Sequence, residues 1–139
     1  MTEIIGGITM HKGVDISKYN AVINWTALKA QDIEFALIRS GQGPKYVDPL
    51  CLTHITNAKA SSIYHGIYHF YDYRWPSGAL HFDNMKAVVD KDFGTIPTTI
   101  DFETLYDYSG KRQVAIPLPA RNTVYSWPRT TFGRLTPFH

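Results

Sequence analysis

The stretch Thr99-Ile100-Asp101-Phe102-Glu103 places two carboxylates at alternate positions of a short apolar segment that favours β structure. Residues i and i+2 of a strand face the same side, so Asp101 and Glu103 are predicted to point together, with Cα atoms about 6.6 Å apart. Two like charges held this close raise the pKa of one carboxyl, which then keeps its proton near neutral pH. A protonated acid beside an ionised one cleaves glycosidic bonds. The same pattern also occurs on solvated strands and turns, where it has no catalytic role.

Three further segments share this strand character, and helix-like stretches separate them. Each is short, rich in β-branched or aromatic residues, and bounded by Gly, Pro or polar residues. The four predicted strands are residues 13–17, 35–39, 66–71 and 97–103. Their alternation with helices predicts parallel strands joined by right-handed crossovers. The predicted fold class is α/β, a parallel (β/α) barrel of TIM-like type that is incomplete: about the first half of the barrel is followed by an irregular tail.

Three helices are predicted between these strands, with Asn24, Asp48 and Ser77 as their N-caps. Pro49 follows Asp48 at the favoured first helical position. Apolar residues at helical spacing predict the side of each helix that packs on the sheet. They are Trp25, Leu28 and Ile33 in the first helix, Leu52, Ile55 and Ala58 in the second, and Leu80, Met85 and Val88 or Val89 in the third.

The composition is that of one globular domain: 139 residues, 44% hydrophobic and 19% charged. A net charge of +2 without a Lys/Arg run argues against a nucleic-acid partner. The single cysteine, Cys51, excludes an internal disulfide framework and is expected to be an inert buried thiol. No Cys/His cluster has zinc spacing, so neither a metal nor another cofactor is expected. His54 and His65 are expected to be exposed.

Cellular location is predicted from two missing signals. Residues 1–10 lack a basic segment followed by an apolar run, so no secretory signal is visible. No apolar run is long enough to span a bilayer, so no membrane partner is expected. The protein is therefore expected to be made in the cytoplasm, and a substrate outside the cell would be reached only after release.

Several chemically capable residues lie toward the ends of the predicted strands. Parallel α/β folds bind ligands at the carboxyl ends of their strands, and Asp15, His69, Asp101 and Glu103 all fall there. They are predicted to meet at one rim. Aromatic content is 14%, with nine Tyr, which is typical of a carbohydrate or peptide groove and equally of a Tyr-rich core. Trp75 lies in a predicted loop beyond the third strand, where substrate walls tend to lie.

Four blocks of the sequence together carry a family resemblance. In chain order they are Lys12-Gly13-Val14-Asp15-Ile16-Ser17-Lys18-Tyr19-Asn20; Ile23-Asn24-Trp25 with Phe35-Ala36-Leu37-Ile38-Arg39; Asp48 with Asn57-Ala58 and Gly66-Ile67-Tyr68-His69-Phe70; and Thr99-Ile100-Asp101-Phe102-Glu103. These blocks resemble glycoside hydrolase family 25, the Chalaropsis-type lysozymes and phage endolysin muramidases. They occur in the family's order at plausible spacings, and the resemblance covers roughly residues 12–106.

The resemblance implies a muramidase that cleaves the β-1,4 bond between N-acetylmuramic acid and N-acetylglucosamine, with peptidoglycan glycan strands as its partner. Glu103 inherits the role of general acid. Asp101 assists the reacting centre, with steering of the substrate's own acetamido group as one route, and Asp15 lines the same pocket. Tyr68 and His69 flank the sugar, and Tyr71 and Trp75 complete the predicted substrate-binding set, although aromatic residues on strands are more often core residues.

The chain departs from the family after the Asp-x-Glu strand, where further β/α units and a late acidic residue are expected. We divide it into residues 1–11 as an N-terminal extension, 12–110 as the family 25-like domain and 111–139 as an atypical tail. The tail resembles unrelated sequence of the kind that a frameshift, an unspliced insertion or a gene fragment gives, and an unusual shortened family member is the alternative. A half-barrel leaves strand edges and an apolar interior uncovered, so self-association or pairing with a separate C-terminal half is expected.

Two other functions compete with muramidase activity. The first is a non-catalytic cell-wall-binding or interaction protein derived from a muramidase, suggested by the missing late acid and the tail. The second is a different β/α enzyme, such as a deacetylase-like or aldolase-like barrel. The lack of a metal-ligand cluster and of a lysine at a strand end disfavours the second alternative.

Overall fold

The structure of the protein, a computed structural model, describes residues 3–5, 8–72, 74–75, 77–90 and 92–102. The elements run in the order β1 (Glu3–Ile5), β2 (Ile8–Met10), β3 (Lys12–Ile16), α1 (Trp25–Ala30), β4 (Ile33–Gln42), β5 (Tyr46–Val47), α2 (Cys51–Ala60), β6 (Tyr64–Phe70), α3 (Gly78–Val89) and β7 (Thr99–Asp101).

Strands β3, β4, β6 and β7 lie in that order in one sheet, and each neighbouring pair is parallel. The short β5 pairs antiparallel with the end of β4. A helix lies between each successive pair of these four parallel strands, so the described part of the chain is a parallel half-barrel of α/β type, as predicted. Strands β1 and β2 form a separate antiparallel pair that was not predicted within the N-terminal extension.

The first helix is capped as predicted but ends earlier. The Asn24 side chain accepts a hydrogen bond of 2.9 Å from the Ala27 backbone N–H. The helix ends at Ala30, and Asp32 then adopts a φ of 60°, which turns the chain out of the helix. Ile33, predicted to be helical, instead begins β4. Only two residues, Gln31 and Asp32, separate these two elements, and apolar spacing alone placed Ile33 on the wrong side of that turn.

The predicted N-cap of the second helix is wrong. Leu50 holds that position, and the Asp48 carboxylate lies just ahead of the helix. This carboxylate accepts hydrogen bonds from the backbone N–H groups of Leu50 (3.0 Å) and Lys18 (2.9 Å) and from Arg39 Nε (2.9 Å). Asp48 therefore joins the ends of β3 and β4 to the start of α2 rather than capping the helix itself.

The third helix begins after Ser77 as predicted, although the serine side chain makes no capping hydrogen bond. Met85 and Val89 are buried as predicted, whereas Leu80 is exposed. In α2 the predicted Leu52 is likewise exposed. In both helices a buried histidine shares the sheet-facing side, His54 in α2 and His81 in α3. Apolar spacing alone therefore predicted the packed side of these helices only in part, because a histidine also contributes to that side in each of them.

The core lies between the sheet and the helices. It comprises Ile16, Trp25, Ala36, Ile38, Cys51, Ile55, Ala58, Ile63, Ile67, Tyr71, Met85 and Val89. Burial raises the pKa of the Cys51 thiol to about 12, so the prediction of an inert buried thiol is confirmed. The expectation that His54 and His65 are exposed is wrong. His54 Nε2 lies 3.3 Å from the Ser17 carbonyl oxygen, and His65 Nε2 lies 3.1 Å from an Asp92 carboxylate oxygen.

Replacing Asp48 by alanine is expected to lower the free energy of unfolding by about 3 kcal/mol, because the substitution leaves the Arg39 guanidinium buried without its carboxylate. The Arg39 side chain is 11% exposed and that of Asp48 is 0% exposed. Urea denaturation measures the change. Lys59→Gln is the control, because it breaks an ion pair with Asp92 whose side chains are 59% and 40% exposed, which is worth under about 1 kcal/mol. Equal losses in the two variants would contradict the structural role assigned to Asp48.

Candidate active site

The face of the sheet opposite the helices carries polar side chains from three neighbouring strands. Residues in register on parallel strands share a face, as do residues i and i+2 of one strand. Arg39 of β4 is in register with Tyr68 of β6, and Phe70 of β6 is in register with Asp101 of β7. Arg39, Tyr68 and Asp101 therefore lie on one face. Each is near the carboxyl end of its strand, where parallel α/β sheets bind ligands.

Asp15 of β3 belongs to the same face. It is in register with Leu37, which lies two residues before Arg39 on β4. Its carboxylate is exposed at this end of the sheet. We call this face of the sheet the inner face; its defining residues are Asp15, Leu37, Arg39, Tyr68 and Asp101.

The charged residues around Tyr68 all influence the pKa of its phenol. Burial raises its pKa to about 12. The Arg39 guanidinium opposes this rise, and the carboxylates of Asp15, Asp101 and Asp48 add to it. Tyr68 is therefore a neutral hydroxyl at physiological pH, able to donate and to accept a hydrogen bond between the carboxylates of Asp15 and Asp101. Asp15 and Asp101 thus lie on the same face of the sheet as Tyr68, and both carboxylates influence its phenol.

Arg39 and Asp48 were not predicted as parts of the site. Arg39 Nε donates to Asp48, while the Arg39 Nη2 atom is buried and has no hydrogen-bond partner among the described residues. The sequence did contain a signal for this ion pair, because Arg39 directly follows the apolar segment 35–38. A strand of this kind is buried on both faces, and a cation at its end needs a charged partner. The partner lies nine residues later in the chain, a separation that sequence spacing does not reveal.

Trp75 lies at the same end of the sheet, beside a cleft of about 260 Å³. Its ring is 46% exposed, and Lys45 Nζ lies 5.7 Å from the ring centroid. The cleft is formed by the turn after β4 and the loop after β6, and its lining residues are Gln42, Gly43, Pro44, Lys45, Tyr46, Asp72, Arg74 and Trp75. An exposed indole beside hydrogen-bonding side chains is the kind of surface on which a sugar ring can stack.

His69 and Tyr71 do not join this group. His69 lies in the strand next to Tyr68 and therefore points to the opposite, helix-covered face. It is completely buried, with Nδ1 2.8 Å from Ser40 Oγ and Nε2 2.9 Å from the Gly43 carbonyl oxygen. Tyr71 is buried and stacks on His81, with ring centroids 4.4 Å apart. These two predicted substrate contacts belong to the core side of the sheet in the described structure.

Glu103, the predicted general acid, lies outside the described residues. The structure describes β7, which ends at Asp101, and Phe102, which directly precedes Glu103 in the sequence. Within the described ranges no group of three or more His, Cys, Asp or Glu side chains could hold a metal ion. No helix in that part of the chain is long and apolar enough to cross a membrane.

Comparisons with known proteins agree on one family. The model of glycosyl hydrolases family 25 matches residues 14–124. Lysozyme M1 of Streptomyces globisporus is 32% identical over 95 residues, which are 66% of this chain and 32% of that protein. The chain thus spans about a third of the length of this curated relative.

Solved structures show the same fold. A family 25 glycosyl hydrolase from Bacillus anthracis superposes with a TM-score of 0.66 at 28% identity, covering 78% of this chain and 49% of that one. A muramidase from Trichobolus zukalii superposes with a TM-score of 0.73 at 24% identity, covering 91% of this chain and 63% of that one. The half-barrel described above is therefore an arrangement that family 25 proteins contain.

The position of His69 generates a prediction on stability against pH. Burial lowers its pKa to about 4 in the folded protein, against about 6.5 in an unfolded chain. Between these values the unfolded chain binds the extra proton, so stability falls as the pH drops from 6.5 toward 4. Between pH 7 and pH 5 this group removes about 2 kcal/mol from the free energy of unfolding.

Urea denaturation at the two pH values measures this decline, and His69→Gln should remove about that much of it. Glutamine keeps a donor and an acceptor but does not titrate. An unchanged pH dependence in the variant would place His69 in a solvated position, where a substrate could reach it, and would contradict the described packing.

Proposed function

Because the chain belongs to glycosyl hydrolases family 25, we propose that its inner face is the site of an N-acetylmuramidase, which cleaves the β-1,4 bond between N-acetylmuramic acid and N-acetylglucosamine in peptidoglycan. The observation that supports the proposal is that Asp15, Tyr68 and Asp101, from three parallel strands of one sheet, lie on the same face near the carboxyl ends of those strands, and that both carboxylates influence the Tyr68 phenol.

Bond cleavage needs one proton donor and one group that stabilises the sugar as the bond breaks. We assign the donor to Glu103, which protonates the glycosidic oxygen as the C1–O bond breaks and N-acetylglucosamine leaves with a hydroxyl group. The Asp101 carboxylate orients the substrate's acetamido group, whose carbonyl oxygen attacks C1. Water then attacks C1 as the bond between C1 and the acetamido oxygen breaks, which restores the acetamido group, and the water gives its proton to Glu103, which restores the acid. Asp15 adds negative charge facing the developing positive charge on the sugar ring.

The surroundings of these residues support sugar binding. Tyr68 offers a neutral hydroxyl between the carboxylates, since its pKa is about 12. Trp75, in the loop after β6, offers an exposed ring at the same end of the sheet. We propose these two as the aromatic contacts to the glycan strand. His69 and Tyr71, predicted for that role, are instead assigned to packing, because both are enclosed on the helix side.

The proposal extends to the assembly of the barrel and to the place of action. β7 pairs with β6 on one edge, and its other edge pairs with no strand among the described residues. We propose that further β/α units complete a TIM-like barrel beyond this edge, supplied by more chain, by a second polypeptide or by another copy. We place the family domain at 12–110, flanked by 1–11 and 111–139, and its action on the bacterial cell wall.

Release of reducing sugar from purified peptidoglycan tests the activity. Glu103→Gln is expected to lower the rate at least a hundredfold, since a positioned general acid contributes about 10²- to 10⁴-fold. Asp101→Asn and Asp15→Asn are expected to lower it less. Asp83→Asn, an equal change at an exposed position of α3, is the matched control and should leave the rate unchanged.

Equal rates for the parent chain and Glu103→Gln would reject the assigned catalysis. Co-sedimentation with peptidoglycan without any release of reducing sugar, by chain that is folded by circular dichroism, would instead identify a non-catalytic wall-binding protein.

A further inference from the structure

Two cations and two tyrosines form a cluster beside the inner face that the proposed chemistry does not use. Lys18 Nζ lies 5.1 Å from the ring centroids of both Tyr19 and Tyr46. The guanidinium carbon of Arg39 lies 5.4 Å and 5.9 Å from the same two rings. We call Lys18, Tyr19, Arg39 and Tyr46 the cation–tyrosine cluster. Its members come from the loop after β3, from β4 and from β5.

The cluster is held in place by the buried Asp48 carboxylate. That single group accepts from the Lys18 backbone N–H and from Arg39 Nε. Gly41 also matters, because a Cβ at this position would overlap the Tyr46 carbonyl oxygen, so only glycine lets β5 approach β4 and present Tyr46. Asp48 pairs with the Arg39 side chain but contacts only the backbone of Lys18, so the Lys18 ammonium adds a positive charge that Asp48 does not contact.

Parts of the cluster are open to a ligand. Tyr19 is 78% exposed and Tyr46 is 38% exposed. The buried Nη2 atom of Arg39 has no hydrogen-bond partner in the part of the chain that the structure describes. A hydrogen bond to the Tyr46 hydroxyl raises the pKa of Lys18, so the ammonium group is charged at neutral pH. Exposed rings, a fixed ammonium and a guanidinium with a spare donor together fit a ligand that bears a carboxylate next to a sugar ring.

We propose that the cation–tyrosine cluster binds a carboxylate of the glycan strand, either the lactyl carboxylate of N-acetylmuramic acid or a carboxylate of its peptide. The inference rests on the proposed muramidase function, and it identifies the residues that would let the site prefer an acidic glycan strand over a neutral one. Arg39 shares the inner face with Tyr68 and lowers the pKa of its phenol, so the cluster adjoins the proposed cleavage site. A neutral polymer of N-acetylglucosamine lacks the carboxylate and would offer no anionic partner to the Lys18 ammonium or to the Arg39 Nη2 atom.

Isothermal titration calorimetry on the full chain carrying Glu103→Gln, which keeps the sugars intact, tests the inference. Three probes are compared: the neutral tetrasaccharide of N-acetylglucosamine, the alternating N-acetylglucosamine–N-acetylmuramic acid tetrasaccharide with free lactyl carboxylates, and the same tetrasaccharide bearing peptides. At about 50 mM salt, an acidic probe should bind about tenfold more tightly than the neutral one, and the advantage should shrink at about 300 mM salt. The tighter of the two acidic probes identifies which carboxylate is bound.

Lys18→Gln should reduce the advantage of the acidic probe to about twofold or less, because it removes the ammonium but keeps the backbone hydrogen bond to Asp48. Lys86→Gln, the same change at an exposed position of α3, is the matched control for net charge and should preserve the full preference. Equal affinity of the parent for acidic and neutral probes, failure to bind any of them, or equal losses in both lysine variants would overturn the inference.

Release of reducing sugar is measured separately from the binding preference, so that the two proposals can fail independently. A chain with Glu103 that releases reducing sugar but shows no preference for carboxylates overturns only the carboxylate site. A chain that prefers the acidic probe without releasing reducing sugar supports the carboxylate site and overturns the catalytic assignment.

Discussion

The Asp48 carboxylate is the constraint on which the arrangement of the site depends. It is fully enclosed and accepts hydrogen bonds from two backbone N–H groups and from a guanidinium. A buried charge is costly unless its partners are correctly placed, and its removal leaves the partner cation unpaired. The carboxylate therefore fixes three segments at once: the loop after β3, the end of β4 and the start of α2. The loop after β3 follows the strand that carries Asp15, and the end of β4 carries Arg39, so two of these segments belong to or adjoin the inner face.

Alternation along parallel strands then separates chemistry from packing. Tyr68 and His69 are adjacent in sequence, yet one faces the carboxylates of Asp15 and Asp101 and the other is sealed beneath a helix. Both are polar aromatic residues near the same strand end, so residue type cannot distinguish their roles. What distinguishes them is the surroundings of each face. The tyrosine is surrounded by charges, whereas both histidine nitrogens have neutral partners and the ring stays uncharged.

The parallel strands and intervening helices were predictable because local signals agree at those segments. Four short β-prone runs, the Asn24 cap and the Met85–Val89 spacing all indicate the same architecture. Prediction failed where tertiary contacts override local pattern. Asp48 is a residue type typical of N-caps, but its carboxylate pairs with Arg39. Histidine is often found on the surface, but His54 and His65 are buried. The positions of Asp15 and Asp101 toward one end of the sheet followed from strand direction alone, but the same argument chose His69 where the structure has Tyr68 on that face, and the Arg39–Asp48 pair required the three-dimensional structure.

The distribution of charge across the inner face has a physical logic. The carboxylates of Asp15 and Asp101 suit a transition state in which positive charge develops on a sugar ring. The same carboxylates would repel an acidic glycan strand if no cations lay nearby. In the proposed function Lys18 and Arg39 supply positive charge beside these carboxylates, because Arg39 lies on β4 between the strands of Asp15 and Asp101 and Lys18 lies in the loop after β3. The Tyr19 and Tyr46 rings flank both cations, so the proposed carboxylate binding would hold an acidic strand next to the acids that otherwise repel it.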